Sequence, residues 1–283
     1  MWSTNGPESN LFGLEPNYGC CTANLHQGWP KFAAHLWMRA PEEGIAVAAY
    51  APSSARFQSR GVPVEATLTT DYPFREEVQV TVTAERSVRF PLLLRVPSWA
   101  EGATIRIAGG PARPLRLGTF HRVAREWNGT TELLLTFPMR VATTRRYNGA
   151  LSIERGPLVY SLQVGEAWSR INTDKPHREL PHADFEVRPT TPWNYALLMD
   201  EEDPSKSVSF EEKPVGERPF SAEGAGVVAR ARGRRLPNWK LEHGWAGETP
   251  VSPVGSSEPM EEVTLIPYGC AKLRISEFPK LKG

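Results

Sequence analysis

Between residues 42 and 147 the chain alternates apolar and polar side chains with a period of two. In the segment 77–84, Val78, Val80 and Val82 share one face while Gln79, Thr81 and Thr83 share the other, the pattern of a half-buried strand. The segments 44–51, 64–70, 88–97, 103–109, 119–127 and 131–138 read as further strands, with Asn128-Gly129 a two-residue hairpin signal between the last pair. Seven or so short strands in about 100 residues predict a β-sandwich over 42–147. Pro91 lies inside one of these strands and marks it as an edge or a bulge, because proline has no N–H to give a ladder.

The pattern changes on either side. Over 148–283, strands are predicted at 150–156, 157–164, 263–269 and 272–278. Between them, 167–184 and 200–225 are polar and read as long loops, and 244–260 reads as a mobile excursion, so the segment is expected to be a second, irregular β-sandwich. Over 1–41 a loop-like opening leads to Leu25, Trp29, Phe32, Ala33, Leu36 and Trp37, whose spacing is helical. Thr22 or Asn24 would cap this helix and Pro41 would stop it at about Ala40. Its apolar stripe carries two tryptophans and a phenylalanine, so it must pack on the following domain or on a body outside this sequence.

Composition supports this picture and narrows the partners. Proline is 26 of 283 residues, about 9% against a usual roughly 5%, which excludes long helices. The charge balance, 33 Lys and Arg against 32 Asp and Glu, gives a net +1 and supplies no field for nucleic acid or an anionic membrane surface, so neither partner is expected. No run approaches the roughly 18–20 apolar residues that cross a bilayer. The opening MWSTNGPESN lacks the basic start and apolar stretch of a secretion signal. Three cysteines are too few for a disulfide framework, so a cytoplasmic setting is favoured over a secreted one, although any leader would precede Met1.

Chemistry concentrates in Asn17–Asn24, where Cys20 and Cys21 stand just before the predicted helix N-terminus. The dipole and free amides there favour a thiolate, as a nucleophile or a metal ligand requires. Two small thiols packed in a turn fit the same residues. Adjacent thiols can share one zinc, but Cys270 is 249 positions from Cys21 (270 − 21), and two protein ligands do not complete a site. Glu8 and Glu15 are close in sequence and read as solvated carboxylates. His26 and His35 are nine apart, on opposite sides of a helix. His177 and His182, with Asp174 and Asp184, read as a solvated loop, and Arg230, Arg232, Arg234 and Arg235 as a solvated strand edge. Cys270 reads as a buried structural thiol, and the glycosylation pattern Asn128-Gly129-Thr130 is explained by the hairpin. Trp99, Trp127, Trp193, Trp239 and Trp245 serve as sugar-stacking platforms or as core caps.

The stretches NYGCCTANLHQGWPKFAAHLW, GIAVAAYAPS, PLLLRVPSWA and VTLIPYGCAKLRISEFP, in that order, resemble the C-terminal part of the β-L-arabinofuranosidase family, glycoside hydrolase family 127. The resemblance covers essentially the whole chain and implies an (α/α)6 barrel catalytic domain followed by two β-sandwiches. Residues 1–41 would then be the barrel's C-terminal remnant, 42–147 the first sandwich and 148–283 the second. It also implies a retaining glycosidase with a zinc-bound cysteine nucleophile. Cys20 matches the nucleophile, itself a zinc ligand, and Cys21 matches a second ligand. The third cysteine, the zinc glutamate and the acid/base glutamate would lie upstream, in the missing N-terminal barrel. The implied substrate is a carbohydrate ending in L-arabinofuranose or a related sugar, a homodimer is expected, and this chain by itself should be inactive. The competing expectation is a stand-alone, non-catalytic β-sandwich module for carbohydrate binding or oligomerisation.

Overall fold

The computed structural model describes residues 9–13, 24 and 26–282. The chain is mainly β and divides into two compact units, Gln27–Arg140 and Val141–Gly283, the second joined by Met1–His26. In the latter, β1 (Leu11–Phe12) is a short strand near the chain start.

The unit 27–140 opens with a seven-residue helix, α1 (Gly28–Ala34). This is shorter than the helical spacing predicts. It ends where His35 donates its backbone N–H to Phe32 O at 3.1 Å, and β2 (Trp37–Ala40) follows. The reason is a stronger competitor for the last two apolar residues of the stripe. Leu36 is buried, and Trp37 packs on the sandwich core with its indole N–H on Ser53 Oγ at 3.0 Å. The bend after the helix and β2 place both there, whereas a continued helix would leave them with Trp29 and Phe32 in water.

The sandwich is built from β2, β3 (Gly44–Val47), β4 (Ser53–Ser59), β5 (Val62–Thr70), β6 (Glu77–Arg95), β7 (Thr104–Ile107), β8 (Arg113–Pro114) and β9 (Phe120–Thr136). The strands run in the order β2-β3-β6-β9-β7-β8, with β5 also on β6 and β4 on β5. The predicted hairpin at Asn128-Gly129 does not form. Residues 120–136 are one 17-residue strand lying antiparallel along the 19-residue β6. Alternation explains this: Val123, Trp127, Thr131, Leu133 and Leu135 keep one parity across Asn128-Gly129 and all face inward. The register shift between Ala84 and Val88 instead makes a bulge, at which Gly129 takes φ +62, a conformation glycine adopts without steric cost. Pro91 is likewise inside the sheet and not at its edge. It pairs with Ala124 of β9 just before β6 takes up β3 in parallel at Leu92–Leu94. Gly44 makes this possible, since a Cβ there would lie 2.3 Å from Pro91 O. The even positions of β5 and β6 and the odd positions of β9 supply one apolar core around Phe90, Leu92, Trp127 and Phe137.

The second unit carries β10 (Val141–Arg145), β11 (Leu151–Arg155), β12 (Leu158–Leu162), β13 (Glu166–Ile171), β14 (Asp184–Pro189), β15 (Tyr195–Leu197), β16 (Val208–Glu212), β17 (Val227–Arg235), β18 (Leu241–Glu242), β19 (Trp245–Ala246) and β20 (Met260–Pro267). The main sheet runs β10-β11-β12-β20-β17-β15 with β16 also on β17, and β1-β14-β13 form a smaller sheet. Three expectations change here. The segment 167–184 is bounded by strands β13 and β14, and 200–225 contains β16, so neither is simply loop. Residues 272–278, expected to be a strand, form none: the tail is held by isolated bridges of Phe278 to Leu151, Lys280 to Leu197 and Leu281 to Val254. Its apolar residues Ile275, Phe278 and Leu281 are buried all the same, so hydrophobic spacing reported burial without reporting a ladder.

Candidate functional site

Cys20 and Cys21, and with them Glu8 and Glu15, lie outside the described residues. The helix that follows can be described. It has Gln27 at its N-cap without a side-chain cap, no acidic residue in its first turn and no buried residue. Trp29 is 70% exposed and Phe32 47%, an apolar face with nothing of this chain packed over it among the described residues. His26 and His35 are both exposed, and His35 Nδ1 lies 2.6 Å from Lys31 O of its own helix. Among the described residues no group of three or more His, Cys, Asp or Glu is placed to hold a metal. Two thiols are half of a closed tetrahedral zinc set, so Cys20 and Cys21 would need further donors to hold the ion.

The other sequence candidates have structural occupations. Cys270 is buried with its thiol on Pro219 O at 3.4 Å, and burial pushes its pKa up to about 11, the opposite of an activated nucleophile. Asp184 does not join His177 or His182. It is 1% exposed and accepts Arg178 Nε at 2.9 Å and Asn172 Nδ2 at 3.0 Å, and Gly13 leaves room for it, since a Cβ there would lie 2.1 Å from Asp184 Oδ1. The arginine run is not a sheet edge: it lies on β17, flanked by β15, β16 and β20. Arg230 bonds Thr264 Oγ1 and approaches Glu211, and Arg234 donates to Glu258 O at 2.5 Å.

Of the five tryptophans read as platforms or caps, Trp127, Trp193 and Trp239 are buried, and Trp99 packs on the sandwich core from a half-buried position. Trp127 stacks on Phe90 at 5.4 Å and donates to Phe90 O at 2.9 Å, and Trp193 and Trp239 meet edge to face at 5.1 Å. Trp245 is half-buried, its indole nitrogen enclosed and without a hydrogen-bond partner. Besides Trp29, Trp168 stands open among the described residues, 45% exposed on β13, in a stretch that reads from sequence as polar loop.

Two concave surfaces differ in charge. In the unit 27–140 a cavity of about 430 Å³ is lined by Ile105, Ile107 and Val123 together with Arg113, Arg122 and Arg125. His121 also lines it, its pKa lowered from the usual histidine value by burial. In the second unit a cavity of about 640 Å³ is lined by Trp168, Gln163, Glu166, Glu223 and Glu262, without any Lys, Arg or His.

With this geometry in view, comparison with known proteins is specific. Residues 44–139 match the family model described as "Beta-L-arabinofuranosidase, GH127 middle domain". The comparison with curated proteins gives no match. Among solved structures, the chain is similar to Ara127N-Se, a GH127 beta-L-arabinofuranosidase from Geobacillus Stearothermophilus T6. The identity is 22% and the TM-score 0.62, covering 94% of this chain and 38% of that one. A structure described as a glycoside hydrolase is similar at 19% identity and TM-score 0.63, covering 94% and 40%. A GH127 beta-arabinofuranosidase is similar at 15% and 0.63, covering 93% and 39%. The chain thus spans about two fifths of the length of these structures. Segment 44–139 matches the GH127 middle-domain model, and over nearly its whole length the chain has the fold of the matching part of these structures.

Proposed function

We propose that this chain is the C-terminal part of a retaining glycoside hydrolase that releases terminal L-arabinofuranose or a related sugar, with Cys20 as nucleophile. The observation that carries the reading is the order of parts: a Cys-Cys pair, then a helix with no buried residue, then a GH127 middle domain beginning at residue 44. In this reading Trp29 and Phe32 face the catalytic domain that precedes a middle domain.

The chemistry balances on a thiolate. Cys20 Sγ attacks the anomeric carbon, the C–S bond forms as the glycosidic C–O bond breaks, and the departing oxygen takes a proton from an acid. Water then attacks the same carbon and returns the thiolate. The acid is a carboxyl group of the upstream domain. Zinc, bound through Cys20 and Cys21 with further donors from that domain, would hold the sulfur as thiolate at neutral pH. With half a donor set and no acid, the 283-residue chain by itself is inactive.

The test pairs two proteins. The chain alone should hold well under one zinc per molecule by elemental mass spectrometry and should not cleave an aryl β-L-arabinofuranoside. A longer product carrying this chain behind its barrel should cleave it, and Cys20→Ser should abolish that activity. One zinc per chain, lost in a Cys20→Ser, Cys21→Ser variant, would overturn the shared-site reading. Full activity in Cys20→Ser of the longer protein would overturn the nucleophile.

A further inference from the structure

We propose that the cavity beside Trp168 is a binding subsite for a neutral sugar ring. The proposal rests on the carbohydrate reading above only for the choice of probe; the site itself is argued from its geometry.

The small sheet β1-β14-β13 holds Trp168 in place. Its ring lies 5.5 Å from Phe12 and 5.7 Å from Phe185, centroid to centroid, and its indole N–H donates to Glu166 Oε2 at 3.0 Å. A side chain supported by two rings and one hydrogen bond has little rotamer freedom left to lose, yet 45% of it remains exposed. An indole so fixed presents the apolar, electron-rich surface on which the C–H face of a sugar ring stacks.

The groups around it match the rest of a sugar. The side chains of Gln163, Glu223 and Glu262 line the cavity and make no hydrogen bond or ion pair among the described residues. Carboxylates accept only, and the amide both accepts and donates, so the set suits hydroxyl groups that mainly donate. Tyr195, also in the wall, gives its hydroxyl proton to Glu261 Oε2 at 2.7 Å, and burial first, then that carboxylate, push its pKa up to about 12. The lining carries three carboxylates and no Lys, Arg or His, which disfavours uronates and phosphates. At about 640 Å³ it falls inside the 300–1,000 Å³ range usual for small-ligand sites. An organic cation is the competing ligand for carboxylates beside an indole. Gln163 and the hydroxyl-lined wall of Thr191 and Thr264 favour the neutral polyol.

The experiment is titration calorimetry on the full 283-residue chain with three probes: linear arabino-oligosaccharides, xylo-oligosaccharides and choline, each at 50 mM and 500 mM salt. At least one neutral oligosaccharide should bind with affinity independent of salt. Trp168→Ala should weaken it about tenfold or more, Trp168→Phe less, and Glu262→Gln severalfold. Far-ultraviolet circular dichroism of the variants checks that the sheet is intact. No binding of either oligosaccharide, unchanged affinity in Trp168→Ala, or salt-sensitive binding of choline alone would each overturn the proposal. The readout needs no hydrolysis: Cys20→Ser should bind as the parent does, so binding without cleavage by the longer enzyme would fault the hydrolase reading and leave this one standing.

Discussion

The two units solve the same packing problem differently. In 27–140, two strands of 19 and 17 residues run side by side and their inward positions merge into one apolar core. In the unit containing 141–283, strands have between 2 and 9 residues; apolar side chains are buried there too, but more polar groups are taken out of water with them, and the tail has no ladder of its own. Of the eight buried polar residues among those described, Ser9, Asn10, Ser152, Ser161, Asp184 and Thr249 belong to this unit, against Ser59 and Thr131 in the other. Burial of apolar surface is non-directional and tolerates imperfect neighbours, whereas a buried polar atom needs a partner in the right place. The first unit should therefore fail by losing volume, and the second by losing a partner.

The largest test is Trp127→Ala. The side chain is fully buried, stacked on Phe90 and bonded to its carbonyl, so truncation should cost about 3–5 kcal/mol and leave that carbonyl unsatisfied. Guanidinium unfolding followed by circular dichroism should show the transition of 27–140 moved to lower denaturant. Asp184→Ala is the counterpart in the other unit. It strands Arg178, whose side chain is 10% exposed, and should cost about 3 kcal/mol. The comparison sharpens in the pair Asp184→Leu, Arg178→Met, which should recover most of the loss. If the apolar pair is no better than Asp184→Ala, the polar partner is not what holds that unit.

This contrast also explains what the sequence discloses. Period-two alternation made most of the first unit legible, though it missed β4 and gave way to a helical reading over 37–40, and local chemistry misled it at Asn128-Gly129 and Pro91. Both are local signals, and the neighbouring strand decided them: β6 is long enough to pair both halves of β9, and Gly44 accepts Pro91. In the second unit the deciding contacts join residues far apart, such as Asn10 with Val187 or Ser161 with Ile275, and no window of sequence contains both partners. Of the candidate site, Cys20 and Cys21 were legible as residue types and as a family pattern, while Trp168 was not, because its platform is assembled from Phe12, Glu166 and Phe185 across three strands.

A smaller effect appears at alkaline pH. Burial raises the thiol of Cys270 from its ordinary value near 9 to about 11. Below pH 9 folded and unfolded chains both keep the proton. Between 9 and 11 only the unfolded chain releases it, so stability falls with rising pH across that window and no further above it. Tyrosines raised by burial add to the same alkaline loss, among them Tyr50 in one unit and Tyr160 in the other. The thiol's share is the difference between the parent and Cys270→Ala, which should shrink from pH 8.5 to pH 11 by urea unfolding. A difference constant in pH would mean that the thiol is not shielded in the fold.

The smallest expected effect on stability carries the most information about assembly. Trp29 is the same residue type as Trp127, yet 70% exposed on a helix that buries nothing. Trp29→Ser should leave the unfolding midpoint within about 0.5 kcal/mol, as for surface positions generally. What it should change is association. An exposed indole beside Phe32 is an apolar patch on a chain of net charge +1, with little repulsion to keep copies apart. Sedimentation velocity of the parent should show concentration-dependent association that Trp29→Ser, Phe32→Ser reduces. In the longer protein, where the helix would meet the preceding domain, the same double change should act the other way and lower the thermal midpoint. A patch that is inert in the short chain and indifferent in the long one would break the link between the exposed helix and a missing neighbour, whatever the two β units do.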